Sequence, residues 1–186
     1  MRARHALEDL LRVAQEPGST IDRAAVLLRL GDVSSLPGGD PLLAVTYYQK
    51  ALDGPPECAD QALSALETLY SRAERWDDVA RVLELAIARV ERPDVRGERL
   101  ARLAQVVGTH LDDTARAVVL YEEAAEVRHD APEILERLAD LHRRAEQHFR
   151  LAQVLQRMAN VIEDPLMLAD IYAESGELLR IHLNQA

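Results

Sequence analysis

Lysine, cysteine and aromatic residues are nearly absent from this sequence of 186 residues. Lys50 is the only lysine, so every other fixed positive charge is an arginine, the residue suited to bidentate carboxylate contacts. Cys58 is the only cysteine, which excludes an internal disulfide and any cysteine-based zinc site and fits a reducing compartment. Aromatics make up 4% of residues against 48% hydrophobic residues in all. The core must then be built from Leu, Ala, Val and Ile, which suits close-packed helices better than strands. No run of about 20 apolar residues occurs, so no membrane-spanning segment is expected. The start, Met1-Arg2-Ala3-Arg4-His5, runs into Glu8 and Asp9 without an apolar stretch, so no secretory signal is expected and the cytoplasm is the expected location. Net charge is −10. Nucleic-acid binding draws on Lys and Arg at phosphates, so a chain this acidic is a poor nucleic-acid binder. An anionic membrane surface is disfavoured for the same reason.

What the chain does have is an internal echo. Leu63–Leu83 shifted by 72 residues falls on Leu135–Leu155 without a gap, and nine of the 21 positions are identical, including Leu63/Leu135, Leu66/Leu138, Arg72/Arg144, Ala73/Ala145 and Glu74/Glu146. A fixed period marks a repeat architecture, in which each unit buries its apolar face against its neighbours. Within Pro132–Glu146 the set Ile134, Leu135, Leu138, Leu141, His142 and Ala145 follows the spacing of one helical face, opposite Glu133, Glu136, Arg137, Asp140, Arg143 and Arg144. A second helix follows from Phe149 to Ile162, and the residue before Pro165 ends it. The repeating unit is helix, turn, helix.

The same spacing predicts helices near 20–33 and 41–53, 60–73 and 77–91, 96–110 and 114–128, with Arg92-Pro93 closing the second pair. Asp40 before Pro41 and Asp113 are expected N-caps. Arg4–Gln15 has the character of the second helix of a preceding unit, and Pro165–His182 that of the first helix of a following one. The expected organisation is one domain over 1–186: a half unit at 1–16, units at about 20–56, 60–93, 96–130 and 132–164, and a half unit at 165–186, about ten helices with no strand.

The second helices read Ala44…Tyr48…Ala51, Val79…Leu83…Ala86, Ala117…Tyr121…Ala124 and Leu151…Leu155…Met158. The first helices read Leu27…Leu30-Gly31, Leu63…Leu66…Tyr70, Leu100…Leu103-Ala104 and Leu135…Leu138-Ala139…His142, with Tyr172…Ser175-Gly176 in the last. This pattern resembles the tetratricopeptide repeat (TPR) family, in a divergent form similar to arrays in large bacterial proteins. Departures are Glu67 at a small-residue position, Trp76 placed in an inter-helix turn, and longer expected turns in units one and three than in two and four. The resemblance implies a right-handed superhelical α-solenoid of antiparallel helix pairs. It also implies a concave groove, lined by first helices, that holds a partner protein or peptide. The outward residues of those helices are then the candidate contacts: Arg72, Gln105, Glu136, Asp140, Arg143, Arg144 and Arg180. Some family members clamp a C-terminal carboxylate with Lys and Asn. Neither residue type falls on this groove face, so no such clamp is expected, and binding of a short peptide ending in acidic residues would contradict that.

Other chemistry finds little support. The six histidines do not fall at metal-ligand spacing, and His142 takes the core position that Tyr70 holds one echo earlier. Glu122-Glu123 and Asp112-Asp113 are expected as a solvated face and a helix-start cap, not as an acid–base pair. Cys58 has no activating base beside it in sequence, Gly38-Gly39 is too short to cradle phosphate, and Trp76 is expected to cover its own helix pair. No catalytic, metal or cofactor residue is assigned. The expected function is a non-enzymatic scaffold for protein–protein contacts. The alternatives are a docking or regulatory subunit of a larger enzyme, and an RNA-binding helical repeat that the charge disfavours. Apolar residues on the last helix lead to an expectation of end-to-end self-association or of a place in a longer array.

Overall fold

Among the described residues proline opens five of ten helices, because the N–H that it lacks has no intrahelical partner at the first helical position. The computed structural model describes residues 2–16 and 18–182. Among these the helices are α1 (Arg2–Ala14), α2 (Arg23–Ser35), α3 (Pro41–Ala51), α4 (Pro56–Arg72), α5 (Trp76–Arg89), α6 (Pro93–His110), α7 (Thr114–Val127), α8 (Pro132–Arg144), α9 (His148–Val161) and α10 (Pro165–His182), with no strand. The outermost parts of the two half units, residue 1 and residues 183–186, lie outside the described residues. Asp22, Asp40 and Asp113 cap α2, α3 and α7 by accepting from backbone N–H groups in the first turn.

Three expectations about boundaries are corrected. Arg92-Pro93 does not close the second pair, whose last helix already ends at Arg89. Pro56 and Pro93 begin the next helices about one turn earlier than the apolar spacing suggested. The turn of unit three is not long: Leu111–Asp113 has the same three residues as Ala73–Arg75 and Ala145–Gln147, and only the α2–α3 connection, Leu36–Asp40, is longer. Trp76 is half-buried and is the first residue of α5, not part of a turn.

The chain divides into two compact units, residues 1–88 and 89–186. In the first, α1 packs on α2, α2 on α3, and α4 on both α2 and α3. The Gly31 face of α2 lies directly beneath the Tyr48 ring of α3, so closely that a Cβ at 31 would stand 2.5 Å from the ring. Ala44 and Ala51 flank Tyr48 with no exposed surface, and the Tyr48 hydroxyl donates to Asp32 Oδ1 at 2.9 Å. In the second unit α6–α7, α7–α8, α8–α9 and α9–α10 pack in sequence. Its core is Leu100, Leu103, Ile134, Leu135, Leu138, Leu151 and Leu155, with His142 buried among them and its Nδ1 2.9 Å from Gln147 Oε1. Each such aliphatic side chain contributes about 1.5–3 kcal/mol.

The echo is conserved in backbone detail. Glu74 and Glu146 both sit in the left-handed region, at φ 54° and 53°. The following N–H groups bond back identically: Arg75 N to Tyr70 O at 2.9 Å, and Gln147 N to His142 O at 2.9 Å. A left-handed residue just past a helix end satisfies the last carbonyls, so the repeat encodes its own stop signal.

Candidate functional site

Several arginines of the second unit are committed to carboxylates, and four of them tie its helices together. Arg157 on α9 bonds through Nη1 to Glu122 Oε2 of α7 at 2.6 Å, and through Nε to Asp130 Oδ1 at 3.0 Å. Arg96 on α6 meets Glu123 of α7 at 2.7 Å, and Arg128 lies 3.2 Å from Glu133. Glu122 and Glu123 are therefore not a free solvated pair, as the sequence suggested, but ties between neighbouring helices. Arg143 on α8 holds Asp140 at 2.6 Å and reaches α10 through Nε and Nη2 to Glu174, at 2.8 and 2.9 Å. These bonds raise its pKa further, the Glu174 hydrogen bond most, so Arg143 carries its charge at every ordinary pH.

Arg137 and Arg144 differ. They are exposed, seven residues apart on one stripe of α8, and within the described residues neither forms an ion pair. Both border a cavity of about 110 Å³ whose walls come from α6 (Ala104, Gln105, Gly108, Thr109), α7 (Ala117, Tyr121) and α8 (Arg137, Asp140, Leu141, Arg144). Small residues at 104, 108 and 117 let α6 and α7 approach closely, which leaves the Tyr121 ring as the floor. Burial pushes the Tyr121 phenol above its usual range, and the Arg137 charge partly counters this. Asp140 is already engaged by Arg143, so the free charge at the cavity rim is positive.

The structure thus gathers three of the seven expected contacts, Gln105, Asp140 and Arg144, around one cavity. Arg143 lies on the same helix but is taken up by α10. Glu136 and Arg180 are exposed on α8 and α10 and do not line the cavity; Arg72, exposed on α4, belongs to the first compact unit. Arg137, Thr109 and Tyr121 were missed. The signal for Arg137 was present in its spacing of seven from Arg144, two turns along the same stripe.

Elsewhere the chemistry is quiet. The Cys58 thiol is 3.8 Å from Asp22 Oδ2. Partial burial and then the Asp22 charge push its pKa up, the opposite of an activated nucleophile. Among the described residues no cluster of three His, Cys, Asp or Glu side chains could hold a metal ion, and no helix is long and apolar enough to cross a membrane.

No protein-family model and no curated protein matches the sequence. Solved structures do. YrrB, described as a TPR protein with an unusual peptide-binding site, is 16% identical with a TM-score of 0.57, covering 97% of this chain and 86% of that one. BtubC (BKLC) from P. vanneervenii is 22% identical, TM-score 0.53, covering 96% and 77%. The assembly chaperone of RpL4 (Acl4, residues 1–338) is 19% identical, TM-score 0.52, covering 99% and 82%. The chain has a TPR-like helical repeat fold, all-α and built of paired helices.

Proposed function

We propose that this chain is a non-enzymatic scaffold that binds an acidic segment of a partner protein along α6 and α8. Arg137 and Arg144 would receive its carboxylates, with Gln105 and Thr109 as hydrogen-bonding neighbours. The observation that carries this reading is selective. Of the arginines in the second unit for which the described residues show no ion pair, Arg137, Arg144, Arg150 and Arg180, the first two border the same cavity, whereas Arg96, Arg128, Arg143 and Arg157 are paired. Guanidinium groups match carboxylates in bidentate geometry, and such contacts are stronger than neutral hydrogen bonds.

The absence of Lys and Asn from the expected groove face argues against the terminal-carboxylate clamp of the resembled family, but not against anion recognition. Side-chain carboxylates within a segment need no chain end. Peptides ending in acidic residues bind through those side chains on this account, which revises the expectation drawn from the sequence. With a net charge of −10 the rest of the surface repels acidic partners, so recognition is confined to the local positive rim. The same charge argues against RNA, and the free thiol of Cys58 fits a cytoplasmic setting.

The test is fluorescence anisotropy with a library of acidic 12-residue peptides and their Gln/Asn counterparts. Acidic members bind at micromolar affinity and the neutral counterparts do not. Equal binding of both sets would refute the reading. Binding of single-stranded RNA with a steep salt dependence would replace it.

A further inference from the structure

The groove between α9 and α10, about 500 Å³ in volume, carries no charge at all. In a sequence with 29% charged residues its walls are Phe149, Ala152, Gln156, Ile171, Tyr172, Leu179 and a few neutral neighbours. Phe149 is 73% and Tyr172 63% exposed. Between Tyr172 and Leu179 on the same face lies Gly176, where an added Cβ would meet nothing within 4 Å. Gly31 is the matching position of α2, and there the Tyr48 ring of the second helix fills that space. The α10 face is therefore a first-helix face that no second helix covers among the described residues.

A second face of the chain is the complement. On α1, Leu7, Leu11 and Ala14 are half-buried, and α1 packs on α2. Ala3, Ala6, Leu10 and Val13 form a separate, uncharged, exposed stripe. The pattern Ala3…Leu7…Leu10 repeats the spacing Ala44…Tyr48…Ala51 of the second helix α3. So α1 has the pattern of a second helix and α10 that of a first helix, and each keeps an open apolar face among the described residues. The flanking charges also match: α1 carries three arginines against two carboxylates, whereas α10 carries three carboxylates against one arginine.

We propose that the open face of α10 takes α1 of a second copy of this chain, forming a helix pair across the contact. The contact continues the α2–α3 interface in kind, with the Leu7–Leu10 segment of one copy over Gly176 of the other. It is heterologous, so each added copy leaves one α1 and one α10 face free for the next.

The experiment uses the full chain in sedimentation equilibrium, with two variants that block one face each. Gly176→Glu puts a charge into the neutral groove, and the open space at that Cβ and the better helix propensity of Glu protect the fold. Leu10→Glu does the same on α1, where Leu10 is exposed. Circular dichroism checks that both remain helical. Wild type is expected to rise above its 20.8 kDa monomer mass as concentration increases from about 10 µM to about 1 mM, a range suited to a small interface. Each variant alone stays monomeric. Mixing the two restores a complex that stops at two copies, because one variant keeps only its α10 face and the other only its α1 face. Three results would overturn the proposal: a wild-type mass that stays monomeric throughout, assembly unaffected by Leu10→Glu (which would indicate α10 pairing with α10), or a mixture of variants that remains monomeric.

Discussion

Changing one hydrogen to a methyl group at Gly31 and at Gly176 should have opposite effects, although the two glycines hold the same repeat position. At Gly31 the new Cβ would stand 2.5 Å from Tyr48 Cε1 and 2.7 Å from both Cδ1 and Cζ. Carbon–carbon contacts are optimal near 3.5–4.0 Å, so the ring must retreat by about 1 Å. Tyr48 is 3% exposed and hydrogen-bonded to Asp32, which leaves the ring little room to do so. Overpacking of this kind costs about 1–3 kcal/mol, and weakening the hydrogen bond to a carboxylate adds about 1 kcal/mol. Replacing a mid-helix glycine by alanine returns about 1 kcal/mol. The net expectation for Gly31→Ala is a loss of about 1–3 kcal/mol. At Gly176 only the propensity gain applies, because nothing lies within 4 Å, and Gly176→Ala stabilises by about 0.5–1 kcal/mol. Urea unfolding at low micromolar concentration, read by far-ultraviolet circular dichroism, gives both values from the shift in midpoint. In a Tyr48→Ala background the cost of Gly31→Ala should vanish. The reasoning fails if Gly31→Ala is as stable as wild type, or if its cost persists without the tyrosine ring.

Three further outcomes follow from particular contacts. Tyr48 has its pKa pushed up to about 12, by burial first, while Asp32 raises and Ser35 lowers it. The folded state then holds that proton where the unfolded chain, titrating near 10, has lost it; stability contributed by the neutral phenol is full below about pH 10 and falls by roughly 2 kcal/mol as pH rises towards 12, a slope that Tyr48→Phe should reduce in urea midpoints measured at pH 9 and 11.5. Glu146→Gly relieves a left-handed residue at φ 53°, a strain of about 1–2 kcal/mol, against a glycine entropy cost of about 0.5–1 kcal/mol, so the unfolding midpoint should rise slightly and Glu146→Val should lower it. Arg157→Ala removes a tie from α9 to both Glu122 and Asp130 and should cost about 1–2 kcal/mol by thermal unfolding, with Arg157→Lys recovering less than half because its single nitrogen does not span the two carboxylates as Nε and Nη1 of the guanidinium do.

The period of the apolar residues made the helix pairs legible, since Leu63, Leu66, Leu135 and Leu138 can share a buried face only on helices. The helix starts were less legible. Pro93 reads in the sequence as a terminator because proline disfavours a helix before it, yet the same ring suits the first helical position after it, as Pro56 and Pro93 both show. The stop signals at Glu74 and Glu146 were visible as identities but not as left-handed turns, because glutamate has no preference for that region and only the tertiary context places it there. At the site, outward position on a first helix is a helical-wheel property, and of the residues chosen by it the structure brings Gln105, Asp140 and Arg144 to one cavity. Which arginines stay unpaired is a property of the neighbouring helices. Arg143 and Arg144 are adjacent in sequence, yet Glu174 of α10 reaches only the first.

The central claim is that Arg137 and Arg144 hold carboxylates of a partner segment, and the direct measurement is anisotropy of the best acidic peptide with wild type and with Arg137→Glu/Arg144→Glu. Charge-assisted bonds of about 1.5–3 kcal/mol each predict that the double variant binds at least about 100-fold more weakly. Arg72→Glu, on α4, should leave binding unchanged. Retention of affinity in the double variant, with the peptide still bound to a folded protein, would contradict the account.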